Sequence, residues 1–393
     1  KEALNSLSNP VWVFLDEINT CNHLGIICDI VCHHRCLGHS LAPNLVVMAA
    51  CNPYKCRRHD TILTSGLKGM VKMDELSYLV YRVFPLPEAM VDFVWDFGSI
   101  NEGDEERYIH RMIQDVFDGC PEMDSLLADL IIMSQKVTRD IEQSESCVSL
   151  RDVHRCKLLA KWFPDFLIRL KEKTLYTKRE LLIESMILSL AHCYHSRFPN
   201  ASDRKRYREH IADVFTLNMM FEYTEDMIGN IIIRTQRDIL SEMEKPTGTA
   251  ENTALQENVF VILVCILNRI PIFVVGKPGC SKSLSMQVIR SNLRGKDSRN
   301  ELFQSLPQLY CVSFQGSESS TSDGIIKVFE KAQKYQTDNK NEVLSVVILD
   351  EIGLAERSRF NPLKVLHSLL EPEGKQFPDV AVVGISNWAL DAA

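Results

Sequence analysis

Four features that would place this chain of 393 residues in another class of protein are absent from its sequence. Basic residues are not in excess: 44 lysines and arginines against 52 aspartates and glutamates give a net charge of −8, which argues against a broad nucleic-acid-binding surface. The best candidate for a membrane span, Val259–Val275, is short and is interrupted by Arg269 and Pro271. The chain also lacks low-complexity tracts and a signal-peptide pattern, so we expect a soluble globular protein.

The cysteines follow neither a disulfide nor a zinc pattern. Their number, 13, is odd, and they are scattered through apolar and helical stretches, which favours reduced thiols in a cytosolic protein. One cluster invites a zinc hypothesis: Cys28, Cys32, His33, His34, Cys36 and His39. The spacing of four residues, however, places the three cysteines along one stripe of a helix, and the paired C-x-x-C motifs of structural zinc sites are missing. A buried helix face is therefore the better prediction.

Residues 1–98 are predicted to form part of an α/β core. Val11–Leu15 and Leu45–Ala50 are continuous apolar runs, as expected for strands buried on both faces of a parallel sheet. Leu24–Gly38 has the periodicity of a helix, and Leu79–Phe84 is a further strand candidate. Alternating strands and helices predict a sheet with crossover connections.

Residues 99–250 are predicted to be a helical lid and connector. They begin with a polar, acidic linker, Asn101–Arg107, and end near a boundary at Pro246–Thr249. Six helices are predicted between them: Tyr108–Phe117, Met123–Gln143, Leu150–Phe163, Lys178–Tyr194, Arg206–Phe215 and Thr224–Met243.

Residues 251–393 are predicted to be a second α/β core. The expected helices are Asn258–Leu267 and Ser283–Leu293, and the expected strands are Ile272–Val275, Leu309–Phe314, Val343–Leu349 and Val380–Ile385. The fold class predicted from the whole pattern is α/β, with two tandem parallel-sheet cores, flanked by helices and separated by a helical region.

A phosphate-binding loop is predicted where the strand Ile272–Val275 runs into a helix. The segment reads Gly276, Lys277, Pro278, Gly279, Cys280, Ser281, Lys282 and Ser283. Backbone N–H groups at such a helix start converge on an anion, Lys282 would reach the β- and γ-phosphates of ATP, and Ser283 would bind Mg²⁺. Ser281 occupies a position where glycine is usual, so strain there could reduce turnover. The alternative is an ordinary Gly-Pro turn.

A pair of acids favours the nucleotide interpretation. Asp350 and Glu351 end an apolar strand, and Glu351 follows Ser283 by 68 residues. Asp350 would hold Mg²⁺, and Glu351 would polarise the attacking water. Asn387 ends the next strand, where its amide could orient the water or contact the γ-phosphate. The alternative interpretations are a helix cap for the acids and a turn for the asparagine.

The same pattern occurs earlier in the chain, at Asp16, Glu17 and Asn52. Asn52 follows Glu17 by 35 residues, and Asn387 follows Glu351 by 36 residues. Two occurrences at matched spacing indicate a duplicated module, so we predict the same roles for the first set. Only the second copy is preceded by a phosphate loop, which suggests that the first is the C-terminal part of another nucleotide-binding module. The second would end before its own lid, so we expect a piece of a larger protein.

A further candidate lies in the helical region. Ser149 resembles a helix N-cap, and Arg151 follows it in the first turn. In a lid, Arg151 could contact the γ-phosphate; the alternative is a surface ion pair.

Together these motifs resemble those of AAA+ ATPases. Longer segments are similar to the mysterin family of giant ubiquitin ligases, which are built on a dynein-like chain of AAA+ modules. These segments are residues 16–25, 50–54, 275–284, 349–355 and 384–391. Serine before the phosphate-loop lysine is part of that family's pattern, which reduces the weight of the departure at Ser281.

The resemblance implies ATP and Mg²⁺ as ligands, and sites that are completed by an arginine of an adjacent AAA+ module. It also implies ubiquitin transfer, with a conjugating enzyme and substrates bound elsewhere in the protein, in the cytosol and on lipid droplets. Two other functions stay open: a scaffold that holds ATP with little hydrolysis, and a remodelling ATPase of the dynein or midasin type without ligase activity.

Overall fold

The computed structural model describes residues 9–21, 23–54, 79, 83–98, 100–145, 147–170, 177–219, 222–339, 342–356, 358–371 and 379–387. These residues form two compact units, one made by the described residues up to Gly98 and the other by those from Ile100 onward. No helix within the described ranges is long and apolar enough to cross a bilayer.

The first unit contains a parallel pair of strands, as predicted. Strand β1 (Val11–Leu15) pairs with β4 (Leu45–Ala49), and helix α1 (Leu24–His33) supplies the crossover that parallel pairing requires. The short hairpin β2 (Arg35–Cys36) and β3 (His39–Ser40) follows α1, and helix α2 is Glu88–Val91. Helix α1 is therefore shorter than predicted, because His34 adopts a left-handed conformation with φ 54° and starts the hairpin. The strand candidate at 79–84 lies largely outside the described residues.

The second unit begins with a helical region that follows most of the predicted pattern. Its helices are α3 (Glu102–Ile113), α4 (Pro121–Glu142), α5 (Leu150–Leu170), α6 (Lys178–Cys193), α7 (Ala201–Met219) and α8 (Glu225–Ser241). The linker predicted at Asn101–Arg107 is wrong, because helix α3 starts there. Asn101 caps the helix by accepting a hydrogen bond from the Asp104 amide at 2.9 Å. The acids that suggested a linker lie in the first turn, where the helix dipole stabilises negative charge.

The α/β part of the second unit is a four-stranded parallel sheet in the order β5-β8-β7-β6. All four predicted strands are present, as β5 (Ile272–Val275), β6 (Gln308–Gln315), β7 (Val343–Asp350) and β8 (Ala381–Ser386). The helices are α9 (Thr253–Asn268), α10 (Lys282–Asn292), α11 (Glu301–Gln304), α12 (Ser322–Asp338), α13 (Ile352–Ala355) and α14 (Val365–Leu370).

One buried cluster joins the helical region to this sheet. Phe163 of α5 stacks on Phe260 of α9 with ring centroids 6.2 Å apart. Leu188 of α6, Ile239 of α8 and Val346 of β7 belong to the same cluster. The described residues on both sides of residue 250 therefore share a core, whereas the division into three domains stays a prediction.

Candidate nucleotide-binding site

The order of the strands brings the predicted site residues to one edge of the second sheet. Lys282 follows β5, Asn387 follows β8, and Asp350 and Glu351 lie at the end of β7. Strand β8 lies between β5 and β7, and neighbouring strands are about 4.8 Å apart. Asn387 is therefore placed between the lysine and the acid pair.

Two residues of the phosphate loop have left-handed backbone conformations. Gly279 has φ +88°, and Ser281 has φ 58° and ψ 15° immediately before α10. Ser281 thus has a left-handed conformation, which carries a steric cost for a residue with a Cβ and none for glycine. This cost explains why glycine is usual at the position before the loop lysine. Two contacts anchor the loop: the Gly276 amide donates to Ser386 O at 3.2 Å, and Asn258 Nδ2 donates to Cys280 O at 2.7 Å.

Several backbone amides of the phosphate loop have no hydrogen-bond acceptor among the described residues. Among the described residues, the amides of Gly279, Ser281, Lys282 and Ser283 donate to no protein atom. Such amides at the start of a helix, beside a lysine, suit an anion. The donor set therefore fits a phosphate group of a nucleotide.

Three predicted site side chains form one hydrogen-bonded chain. Lys282 Nζ donates to Gly276 O at 2.7 Å, to Lys277 O at 3.0 Å and to Asn387 Oδ1 at 3.0 Å. Asn387 Nδ2 donates to Glu351 Oε1 at 2.6 Å. Desolvation lowers the pKa of Lys282, and the nearby charges of Cys280, Glu351 and Asp350 partly offset this shift.

The acid pair is shaped by a left-handed turn. Glu351 has φ 50° and ψ 36°, and its amide donates to Asp350 Oδ1 at 3.0 Å. Asp350 ends β7 on the same sheet edge as the first turn of α10, which carries Ser283. A carboxylate and a hydroxyl are oxygen ligands of the kind that Mg²⁺ prefers.

Gly316 is a site residue that our sequence analysis did not identify. Its amide donates to Asp350 O at 2.7 Å. A Cβ at this position would lie 2.4 Å from Glu351 O and 3.1 Å from Ile352 Cα. The end of β6 is thus packed against the turn that carries Glu351. Its position two residues after the predicted strand Leu309–Phe314, at the same sheet edge, was the available signal.

We expect Gly316→Ala to lower the free energy of unfolding by about 1–3 kcal/mol, because the new methyl group forces the backbone of the acid turn to move. Urea unfolding of the variant checks this expectation. Gly103→Ala is the matched control, since a Cβ there meets only the Asn101 side chain, at 3.7 Å. Equal stability of Gly316→Ala and the unsubstituted protein would show that the contact is not tight.

The first unit reproduces the geometry of the acid pair. Glu17 has φ 48° and ψ 41°, and its amide donates to Asp16 Oδ1 at 3.0 Å. The strand registers correspond as well: Leu15 pairs with Ala49 in the first unit, and Leu349 pairs with Gly384 in the second.

In each unit the predicted asparagine follows its paired strand residue by three positions. Asn19, which sequence analysis missed, connects the two segments of the first unit. Its side chain donates to Asn52 O at 2.7 Å and accepts from the Asn52 amide at 3.2 Å. The structure therefore places Asn52 beside the turn of Asp16 and Glu17.

Two other sets of sequence candidates have contacts of their own. Arg151 forms an ion pair with Glu371 at 3.1 Å, and both side chains are more than half exposed. In the cysteine–histidine cluster, the nearest thiols are Cys28 and Cys32 at 3.9 Å. Within the described parts of the chain, no three His, Cys, Asp or Glu side chains are grouped to hold a metal ion.

Comparison with known proteins identifies the class. Residues 248–393 match a family model described as the RNF213 AAA domain. With the parallel sheet and flanking helices, this match defines an AAA+ module of the P-loop NTPase class, as the fold-class prediction stated.

Three relatives align with nearly the whole chain. It is 36% identical over 416 residues to the human E3 ubiquitin-protein ligase RNF213 and 35% identical over 415 residues to the Mus musculus protein. It is 36% identical over 413 residues to the E3 ubiquitin-protein ligase rnf213-beta of Danio rerio. Each alignment covers 97% of this chain, and the chain spans about 8% of the length of these relatives. The chain belongs to the RNF213 family, also called mysterin, which confirms the family predicted from the motifs.

Proposed function

We propose that the second unit binds ATP and hydrolyses it. The observation that carries this proposal is the placement of Lys282, Asn387 and Glu351 in one hydrogen-bonded chain beside loop amides that lack acceptors. A cation and free amides bind phosphate groups, and a carboxylate at the same edge can activate water.

Each residue has a distinct role in this proposal. The loop amides and Lys282 bind the phosphates, and Ser283 and Asp350 hold Mg²⁺, which supplies positive charge at the transferred phosphoryl group. Glu351 accepts a hydrogen bond from water and orients it, and Asn387 contacts the γ-phosphate or that water.

We extend the proposal to a second, tandem AAA+ core that includes the first unit. Asp16, Glu17 and Asn52 take the roles of their counterparts there. Trp12 and Phe14 of β1 are 64% and 62% exposed. Their counterparts in β7, Val346 and Ile348, lie in a buried cluster with residues of α9 and α10.

The exposed face of β1 thus corresponds to a face that is buried in the second unit, in a cluster that includes residues of the phosphate-loop helix α10. We propose that a similar helix covers it. Arg151, in the first turn of α5, stays a proposed γ-phosphate contact. The helical region shares its core with the second sheet, and we propose that nucleotide binding and hydrolysis change the conformation of this unit.

At the level of the whole protein, we propose an ATPase segment that couples its nucleotide state to the conformation of a giant ubiquitin ligase. Three relatives are E3 ubiquitin-protein ligases, which supports a ligase over a remodelling ATPase without ligase activity. In this proposal the conjugating enzyme and substrates contact other parts of the protein, which acts in the cytoplasm and at lipid droplets. A scaffold that hardly hydrolyses ATP is the competing function.

Glu351→Gln in the full-length protein separates hydrolysis from scaffolding. We expect ATP binding at this site to persist while its turnover falls about 100-fold or more, because the amide cannot accept a proton from water. Steady-state phosphate release and equilibrium ATP binding are the two measurements. Glu330→Gln, an exposed position on α12, is the control. Unchanged turnover in Glu351→Gln would favour the scaffold.

A further inference from the structure

The ammonium group of Lys282 has no hydrogen-bonding capacity left in this structure. It carries three N–H donors, and its three acceptors are Gly276 O, Lys277 O and Asn387 Oδ1. The residue is only 6% exposed, so water does not compete strongly for these donors. A phosphate group can bind Lys282 only by displacing at least one of these acceptors.

Asn387 is the acceptor that can leave most easily. The other two acceptors are backbone carbonyls of the loop that carries the lysine, five and six residues away. Asn387 follows a different strand, β8, and its side chain can rotate about its own bonds.

Charge on both sides sets the orientation of the Asn387 amide. Its oxygen faces the ammonium of Lys282 and its NH₂ group faces the carboxylate of Glu351. The reversed amide would place a donor against the cation and an acceptor against the anion. One amide plane therefore holds the lysine and the glutamate together.

We propose that Asn387 acts as a latch. Its amide keeps the Glu351 carboxylate hydrogen-bonded, and so unavailable to water, until a phosphate group binds Lys282. This inference rests on the proposed nucleotide site. An anion beside Lys282 repels the Asn387 oxygen and attracts its NH₂ group, so the amide rotates and its bond to Glu351 Oε1 breaks. The freed carboxylate oxygen then accepts a hydrogen bond from water. Asn387 thus positions Glu351 according to the presence of phosphate.

Equilibrium binding of ATP and of ADP to Asn387→Ala in the full-length protein tests the latch. Binding at this site is measured as the part that Lys282→Ala removes. Because nucleotide no longer has to break the Lys282–Asn387 contact, we expect ADP, which has no γ-phosphate for Asn387 to contact, to bind more tightly by about tenfold or more, since one hydrogen bond to a charged group is worth about 1.5 kcal/mol or more. We expect turnover to fall, since the γ-phosphate or water contact is lost as well.

Asn387→Asp is the second variant. It replaces the amide contact to Lys282 with an ion pair and repels Glu351, so we expect both nucleotides to bind more weakly. Opposite signs of the change in ADP affinity in the two variants support the latch, whereas disturbed folding weakens binding in both. Unchanged or weaker ADP binding in Asn387→Ala, with a melting temperature equal to that of the unsubstituted protein, overturns the latch. If Lys282→Ala removes no binding at all, the nucleotide site itself fails.

Discussion

Lys282→Ala should abolish ATP binding at the second unit. Lys282 is buried next to the loop amides that lack acceptors, so its ammonium would contact the phosphates away from bulk water. Losing charge-assisted hydrogen bonds to two phosphate groups at about 1.5–3 kcal/mol each corresponds to a loss of affinity of about 100-fold or more. Equilibrium binding of labelled ATP to the full-length protein, with and without the substitution, measures this loss.

Lys334→Ala is the control, because this lysine is exposed on α12, outside the phosphate loop. We expect it to change the affinity no more than about threefold, since exposed charges interact weakly through water. A melting temperature for Lys282→Ala close to that of the unsubstituted protein would exclude unfolding as the cause. Unchanged nucleotide occupancy in Lys282→Ala would refute the site.

The second large effect is a loss of stability at acidic pH, which originates in the helical region. His195 is buried, and its Nε2 lies 3.1 Å from Nη1 of Arg208. Since a guanidinium can only donate, this nitrogen must accept, and the imidazole is neutral. Burial, together with the charges of Arg204 and Arg208, lowers the pKa of His195 from 6.5 to about 3. The two arginines themselves pair with Glu257 and Glu225.

The direction of the pH effect follows from linkage. Between pH 3 and 6.5 the unfolded chain binds the His195 proton and the folded chain does not, so the free energy of unfolding rises with pH. The contribution of His195 is complete above pH 6.5 and is lost as the pH falls toward 3. At one pKa unit per 1.36 kcal/mol, the loss between pH 8 and pH 5 is about 2 kcal/mol.

Urea unfolding at pH 8 and pH 5 checks the effect, with His195→Gln as the decisive variant. Glutamine retains an acceptor for Arg208 but does not titrate, so we expect the pH dependence to shrink by about 2 kcal/mol. His210→Gln, at a half-buried position on α7, should leave it unchanged. If His195→Gln has the same pH dependence as the unsubstituted protein, the histidine is not the source.

Local patterns were sufficient to predict most elements of this fold. The strands of the second sheet are continuous apolar runs, and β7 has six consecutive buried residues. The linker predicted at 101–107 is wrong because an N-cap followed by acids is as typical of a helix start as of a polar linker. Composition alone does not separate the two, because both place charged side chains in water.

The residue types of the site were predictable from the sequence, but the contacts between segments that are distant in sequence were not. Lys282, Glu351 and Asn387 stand out because each follows an apolar strand. Gly316 and Asn19 do not, since their importance lies in close approaches between segments distant in sequence: Gly316 lies against Glu351, and Asn19 is bonded to Asn52. Local periodicity contains no information about such approaches.

The sequence by itself determined which groups are available for phosphate chemistry, their order along the chain and the existence of two matched sets. Only the tertiary structure decided that β8 lies between β5 and β7, and hence that one amide contacts both the lysine and the glutamate. The physical reason is that the order of parallel strands depends on which helices cover the two faces of the sheet. That choice is made by packing among distant residues, not by the propensity of any one segment.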